Sequence, residues 1–324
     1  MKQVFMVALY NFRTWKKNPR IFLSFSIAFI FCFLLSDKIV AFAEKYDTSM
    51  QILEPFIWTF GDSNSILLSS MILIFLFADM PFVTNATPFF LMRTTRKKWL
   101  LGQAIYILLA TSVYMVFVMS ATAFISMRKA FVGNVWSNTA VALGYSKAGE
   151  ALAVPASVKA MGMSTPYGCA AIVFLLMLCY SLILVFLMLL FNLKFGQIGG
   201  VLAAFGFSIY GFLLNPQTII GIFNIPDYEA YKVNVWVGWV SPLNHATFYM
   251  HNFGLDMLPR LWQSYLICIV LVLVCFIAAL WVVRGYNFKF TGTGGKWHGS
   301  CNKNRKSAQI LWKRRNTSRY QQGV

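Results

Sequence analysis

The sequence predicts an all-α, polytopic membrane protein with six transmembrane helices. Of its 324 residues, 58% are hydrophobic and only 12% are charged, and the mean hydropathy is +0.63, whereas soluble domains carry roughly 25% charged residues. Six apolar runs are long enough to cross a bilayer. Lys and Arg fall in blocks between these runs, which a membrane explains better than a nucleic acid does, so we expect no nucleic-acid partner.

Residues 1–19 are predicted to form an amphipathic helix that lies in the membrane interface. The apolar residues recur at helical spacing against a polar set, namely Phe5, Ala8, Leu9, Phe12 and Trp15 against Gln3, Arg13, Lys16 and Lys17. Asn18 and Pro19 are expected to end this helix. A disordered basic tail is the alternative.

The six spans make up a transmembrane domain over residues 20–284. Their predicted limits are about 20–43, 65–80, 99–127, 169–191, 198–223 and 265–283. The first ends in Ala41-Phe42-Ala43, which resembles a signal-peptidase site, but its apolar core already reaches the upper length of a signal peptide, so we expect it to be retained. Only residues 192–197 separate the fourth and fifth spans, which predicts antiparallel neighbours.

The distribution of charge predicts the orientation. Segments 1–20, 81–98, 192–197 and 284–324 hold 20 of the 28 Lys and Arg residues. The alternate segments 37–64, 128–168 and 224–262 hold nine of the ten acids. The positive-inside rule therefore places both termini in the cytoplasm and these three loops outside. The basic tail over 285–324 is expected to be flexible and attracted to anionic lipid.

The fifth span is rich in glycine. Small residues let membrane helices approach closely, so this helix is the candidate for a packing or dimer face, with tolerance of a kink as the alternative. The residues concerned are Gly196, Gly199, Gly200, Gly206 and Gly211.

Motifs for catalysis, metal binding and nucleotide binding are missing from the sequence. None of the six cysteines forms a CxxC pair, and His245 and His251 are six residues apart, so we expect no metal and interpret these histidines as loop or interfacial residues. The sequence has no GxxxxGK[ST] loop for ATP and no GxSxG. It also lacks a pair of acids in mid-span, which counts against a proton-driven carrier.

A polar, basic segment at about 81–98 separates the second and third spans. Thr87 and Pro88 fit an N-cap and first helical position, and a short apolar turn follows, made of Phe89, Phe90, Leu91 and Met92. A cluster of cations comes next, made of Arg93, Arg96, Lys97 and Lys98. Asp79, just before the segment, is expected to pair with Arg93 or Arg96. The cations alone can also be interpreted as a topology signal.

This region resembles the membrane subunits of ATP-binding-cassette exporters of the type-2 permease family. The matching features are Asp79 after the second span and, about seventeen residues later, Thr94 to Gln103, which run into an apolar helix. KNPR at 17–20 and SPLNH at 241–245 are further partial matches. The sequence departs from the family where Thr94 or Thr95 replaces a usual Pro and Gln103 replaces a usual Lys.

The resemblance implies a type-2 exporter-like bundle in a bacterial plasma membrane. The chain would be a permease subunit, not an enzyme, that forms a homodimer or a heterodimer with a related permease and contacts membrane lipid. ATP and Mg would bind to a separate ABC ATPase subunit that docks on Asp79 and on the segment's apolar turn and cations. The chain itself would bind no cofactor.

Two other classes of function remain open from the residues. One is a self-sufficient channel or secondary carrier, which would transport without an ATPase. The other is a non-transporting membrane immunity or assembly factor, whose basic segment holds a partner without moving.

Overall fold

A computed structural model of the chain describes residues 2–81, 94–146, 148–152, 154, 156–254 and 256–286. These residues are almost entirely helical, as a polytopic α-helical membrane protein requires. The one sheet among them is a parallel pair of two-residue strands.

The first half begins with a helix and a 3₁₀ turn, and six further elements follow. Helix α1 spans Lys2–Thr14 and is followed by a 3₁₀ turn at Trp15–Lys17. The next elements are α2 (Pro19–Lys45), β1 (Met50–Gln51), α3 (Glu54–Phe60), α4 (Ser63–Leu76), α5 (Arg96–Ser126) and β2 (Ala130–Phe131). Asn18 does not simply end α1: its side chain caps α2 by accepting from Arg20 N at 3.1 Å, and Pro19 occupies the first helical position.

The second half begins with three short helices, α6 (Asn138–Tyr145), α7 (Ala148–Ala151) and α8 (Val158–Met163). Two long helices follow, α9 (Pro166–Phe195) and α10 (Gln197–Leu213). The remaining helices are α11 (Pro216–Phe223), α12 (Ala230–Val240), α13 (Pro242–Ala246) and α14 (Leu261–Gly285), with 3₁₀ turns at Asp227–Glu229 and Phe248–Met250.

Four of the described helices are long and apolar enough to cross a membrane: α2, α5, α9 and α14. The count rises to six if two bent pairs each form one span. The first pair, α3 and α4, bends by 90°, and the second, α10 and α11, bends by 68°. The predicted span 198–223 runs through the second bend, whereas the first bend falls in the predicted outer segment 44–64, just before the predicted span 65–80. Each second helix restarts at its own N-cap, Asp62 for α4 and Asn215 for α11.

Helix α9 is the centre of the bundle and contacts α5, α10, α14 and α4. Its pairing with α10 confirms that the short connection makes them neighbours, and Gly196 turns the chain between them with φ +84°. Helices α2 and α14 lie at the periphery and expose large apolar side chains. Such exposure is what lipid contact, or contact with another protein, requires.

The chain crosses the bundle alternately, which gives it two ends. We call the end where α2 and α5 begin and α4, α9 and α14 finish the basic end. The opposite end carries the two strands and the short helices. There the buried Glu54 accepts from Ser137 N at 2.8 Å, from Ser137 Oγ at 2.5 Å and from Gln51 N at 3.1 Å. Residues 50–60 and 130–137 are thereby joined into one cap.

Candidate functional site at the basic end

The segment between α4 and α5 is the candidate site, and the structure describes its two flanks. Asp79, Met80 and Pro81 form the first flank, and residues 94–98 form the second. The predicted apolar turn, Pro88, Phe89, Phe90, Leu91 and Met92, lies outside the described residues, as does Arg93. What the structure adds is how each flank is attached to the bundle.

On the first flank, Asp79 forms an ion pair with Arg20 at the start of α2. The sequence suggested Arg93, which lies outside the described residues, or Arg96, which contacts α14; among the described residues Asp79 pairs with a residue 59 positions away. The α2 cap explains this, because Asn18 and Pro19 start the helix immediately before Arg20. Both side chains remain substantially exposed, 50% for Arg20 and 37% for Asp79. The pair therefore fixes the position of Asp79 relative to α2 and adds little to the stability of the fold.

Met80, the next residue, is held by a different helix, α9. Asn192, buried near the end of α9, donates its Nδ2 hydrogen to the carbonyl oxygen of Met80 at 2.7 Å. This side chain also lies against α10, where a Cβ on Gly200 would come within 1.9 Å of Asn192 Oδ1. Glycine at position 200 is thus needed for α10 to pass the amide that holds Met80.

On the second flank, Thr95 caps α5 by accepting from Lys98 N. Arg96 then extends to the end of α14 and donates from Nη1 to the carbonyl oxygens of Arg284 at 2.6 Å and Val283 at 3.4 Å. A guanidinium at the C-terminus of a helix satisfies carbonyls that have no helical partner and interacts favourably with the helix dipole. Lys97 and Lys98 are exposed.

Helix α1 docks on the start of α5. Val4, Val7, Ala8 and Asn11 are buried there, and the exposed residues include Phe5, Met6 and Leu9. The predicted helix is therefore present, but Phe5 and Leu9 of its predicted apolar face point away from the bundle. A Cβ on Gly102 would lie 2.8 Å from Val7 Cβ and 3.0 Å from Val4 O. The glycine is what permits this close contact.

Gln103, a departure from the family pattern, has a specific partner in α1. Its Oε1 accepts from Asn11 Nδ2 at 2.8 Å, and both side chains are buried. One turn further along α5, Tyr106 OH accepts from Trp15 Nε1 at 2.8 Å. A lysine at position 103 would place a buried charge beside Asn11, which is costly without a counter-ion. The uncharged Gln103 therefore suits the buried contact between α1 and α5.

The glycines in and just before α10 have different surroundings. Gly200, Ala204, Ser208 and Gly211 are its buried residues, and Gly211 lies against Leu243 of α13, with a Cβ contact of 3.1 Å. They serve packing within the chain. Gly206 faces open space, Gly196 forms the turn from α9, and Gly199 lies in the first turn of α10, where a Cβ would come 2.5 Å from Phe195 Cβ.

The arrangement connects the segment to the bundle through side-chain contacts. No group of three His, Cys, Asp or Glu side chains suited to a metal occurs in the part of the chain that the structure describes. Both flanks of the segment are instead tied to the ends of α2, α9 and α14, and α5 carries α1. Sequence reasoning identified Asp79 and Arg96 but missed Arg20, Asn11 and Asn192. The two asparagines were detectable only as polar residues inside apolar patterns.

The chain was compared with protein-family models, with curated proteins and with solved structures. None of the three comparisons finds a match.

Proposed function

We propose that this chain is the permease subunit of an ATP-driven exporter of the ABC class, seated in a bacterial plasma membrane with both termini in the cytoplasm. A separate ATPase docks on the segment between α4 and α5. The observation that carries the proposal is the attachment of both flanks of that segment to other helices, through Asp79 and Met80 on one side and Arg96 on the other.

Support for a separate energy source comes from the sequence. It contains no phosphate-binding loop of the GxxxxGK[ST] type, so ATP binding of that kind belongs to a partner. The segment holds four cations and lies on the side that the positive-inside rule assigns to the cytoplasm, where a soluble ATPase is available.

The contacts support a coupling role because they convert one movement into several. A displacement of the segment acts on α2 through Arg20, on α9 through Asn192 and on α14 through the carbonyl groups at its end. These hydrogen bonds and the ion pair join elements that are otherwise far apart in the chain. ATP-driven closure of the ATPases would then shift the bundle between two arrangements, as in other hinge and shear transitions.

The pathway is proposed to lie between two protomers. Helices α2 and α10 expose long apolar faces that include Phe22 and Phe29 on α2 and Ile198 and Leu202 on α10. A second copy, or a related permease, would cover part of these faces, and lipid would cover the rest. Cargo would pass between the protomers without any chemical change.

The decisive experiment is a search for an ATPase gene beside this one, followed by co-purification of the chain with the encoded ATPase. The double variant Phe89→Ala/Phe90→Ala is expected to lose the ATPase while inserting normally. Phe124→Ala is the matched control, because Phe124 is 68% exposed at the opposite end of α5 and should leave association unchanged. Unaltered association in the double variant would refute the docking role.

A second measurement separates the other classes of function. Purified chain in vesicles should transport nothing without the ATPase, and flux in its absence would establish a self-sufficient channel or carrier. An ATPase that binds but whose turnover never depends on this chain would favour an assembly or immunity factor.

A further inference from the structure

His245 and His251 are buried rather than interfacial, and they meet at one hydroxyl group. His245 lies in α13 and His251 follows the 3₁₀ turn at Phe248–Met250, with exposed fractions of 5% and 1%. Ser264, on the first turn of α14, is fully buried between them. The sequence placed these histidines in a loop or at the interface; the structure adds that His245 lies in a short helix, His251 lies in a loop, and both are buried within the protein.

Every ring nitrogen of the pair has a near neighbour. His245 Nε2 lies 3.0 Å from Trp239 O, and His251 Nδ1 lies 2.9 Å from Thr247 O and 3.1 Å from Phe248 O. The two remaining nitrogens face the same atom: His245 Nδ1 lies 2.8 Å and His251 Nε2 lies 2.9 Å from Ser264 Oγ.

Counting hydrogens shows what this arrangement lacks. Backbone carbonyl oxygens only accept, so the nitrogens that face them, His245 Nε2 and His251 Nδ1, each carry a hydrogen. In two neutral rings the other two nitrogens are then acceptors. Ser264 has a single hydroxyl hydrogen and can satisfy only one of them. The neutral cluster is therefore one hydrogen short, with a ring lone pair directed at an oxygen lone pair.

We propose that His245, Ser264 and His251 form a buried site for a single proton. With one proton added, one ring donates from both nitrogens to a carbonyl and to Ser264 Oγ, and the hydroxyl donates onward to the other ring. Every contact then has a donor and an acceptor. The proton can sit on either ring, because the hydroxyl accepts from one and donates to the other in both cases.

A second proton is opposed by charge. Ser264 Oγ has two lone pairs and could accept from both rings, but two imidazolium ions on one buried hydroxyl would repel each other. Burial acts in the same direction: it lowers the pKa of His245, and it lowers the pKa of His251 to about 4. The occupied state therefore belongs to acid conditions and carries one charge.

Among the described residues, no carboxylate forms an ion pair with either histidine ring. Titratable groups on the neighbouring elements include Asp62 on α4, Lys159 on α8, Cys169 on α9, Tyr249, and Arg260 and Tyr265 at the start of α14. The five ion pairs among the described residues all join other groups. Lys159, for example, pairs with Asp256.

The site connects three parts of the opposite end: the last turn of α12 through Trp239 O, the 247–251 turn, and α14 through Ser264. Positive-inside topology places this end outside the cell. Uptake of a proton from the outer medium would thus tighten the joint between α12 and the last span. This inference does not depend on the proposed exporter function.

The experiment is a count of protons on the two rings. Full-length His298→Asn protein, labelled with ¹⁵N-histidine and reconstituted in lipid bilayers, is titrated by solid-state NMR from about pH 8 to about pH 3, below the lowered pKa values of the two histidines. The neutral cluster has two unprotonated ring nitrogens. One equivalent of that signal should disappear and one should persist. Loss of neither, or loss of both, would overturn the proposal.

His251→Gln provides a matched variant. Its amide nitrogen would stand near the place of Nε2 and donate to Ser264 Oγ without a charge, so the missing hydrogen is supplied chemically. His245 should then keep its unprotonated nitrogen over the whole pH range. If His245 still takes up one proton in this variant, the shared site is refuted. The titration of the His298→Asn protein stands by itself if the variant does not fold.

Discussion

Asn11 of α1 donates its side-chain amide to Gln103 of α5 across 92 positions of sequence, and both residues are buried. We predict that Asn11→Ala or Gln103→Ala alone lowers stability by about 1–3 kcal/mol, because each leaves a buried polar partner unsatisfied. The double alanine variant should cost less than the sum of the two. Thermal unfolding in a constant detergent is the measurement, and additive losses would show that the two amides do not interact.

The contact of α1 with α5 also depends on Gly102. Gly102→Ala places a methyl group 2.8 Å from Val7 Cβ, and overpacking of this kind costs about 1–3 kcal/mol. We expect α1 to detach in part and to become accessible to protease. Gly206→Ala is the control, since its added methyl group meets nothing within 4 Å. Equal protease sensitivity of the two variants would contradict this account of the docking.

The ion pair between Arg20 and Asp79 is expected to matter for coupling and little for stability. Both side chains are partly exposed, and such pairs contribute about 0.2–1 kcal/mol. Arg20→Asp or Asp79→Arg should therefore leave the unfolding temperature almost unchanged while reducing stimulation of the ATPase. The exchanged pair, Arg20→Asp with Asp79→Arg, should recover much of it. No recovery would mean that the residues act separately.

Glu54 is predicted to hold the cap at the opposite end together. Glu54→Ala removes the acceptor for Ser137 N and Gln51 N, and each unsatisfied buried donor costs about 1–3 kcal/mol. Proteolysis should then cut faster near residues 130–137. Glu44→Ala is the comparison, because Glu44 meets Arg128 only at 3.9 Å and both are exposed. Faster cutting in both variants would point to a general effect of lost charge.

A pH dependence is expected at the short sheet of the same cap. A hydrogen bond from Lys129, reinforced by its charge, lowers the pKa of Asp47 below the ordinary 3.8. The folded carboxyl therefore loses its proton more readily, and its contribution is present at neutral pH and lost as the pH falls through the lowered pKa. Asp47→Asn tolerates the left-handed backbone at this position, φ 47°, and removes the charge.

Amide hydrogen exchange tests this dependence. At neutral pH the variant should exchange faster at Met50 N and Ile52 N, which donate to Lys129 O and Phe131 O across the two strands. The wild type should approach the variant only in strong acid. Identical exchange at neutral pH would show that the pair does not hold the strands.

Hydropathy was sufficient to locate the helices that can cross a membrane. The limits of α2, α5, α9 and α14 agree with the predicted spans to within a few residues, because a long apolar run has only one stable structure in lipid. The two bends were missed. Their signals, Gly61-Asp62 and Asn215-Pro216, were visible as turn and cap residues but lay at the edge of or inside runs that a hydropathy window averages.

The candidate site was predictable as a region and not as a set of contacts. Charge clustering and the resemblance indicated the flanks at Asp79 and Arg96. Their partners could not be inferred, because Arg20 is 59 positions from Asp79 and Asn192 is 112 positions from Met80. Such pairings are determined by how whole helices pack, which no local pattern encodes.

The bends at α4 and α10 have a consequence for the surrounding lipid. At 1.5 Å per residue, the 14 residues of α4 extend about 21 Å and the 17 of α10 about 26 Å, whereas the hydrocarbon core is roughly 30 Å thick. The two helices contact each other, so the shortfall is concentrated on one flank of the molecule. If each bent pair forms one span, a bilayer is expected to thin at this flank, at a cost of fractions of a kcal/mol per Å. A change in membrane thickness would then change the energy of the two bends.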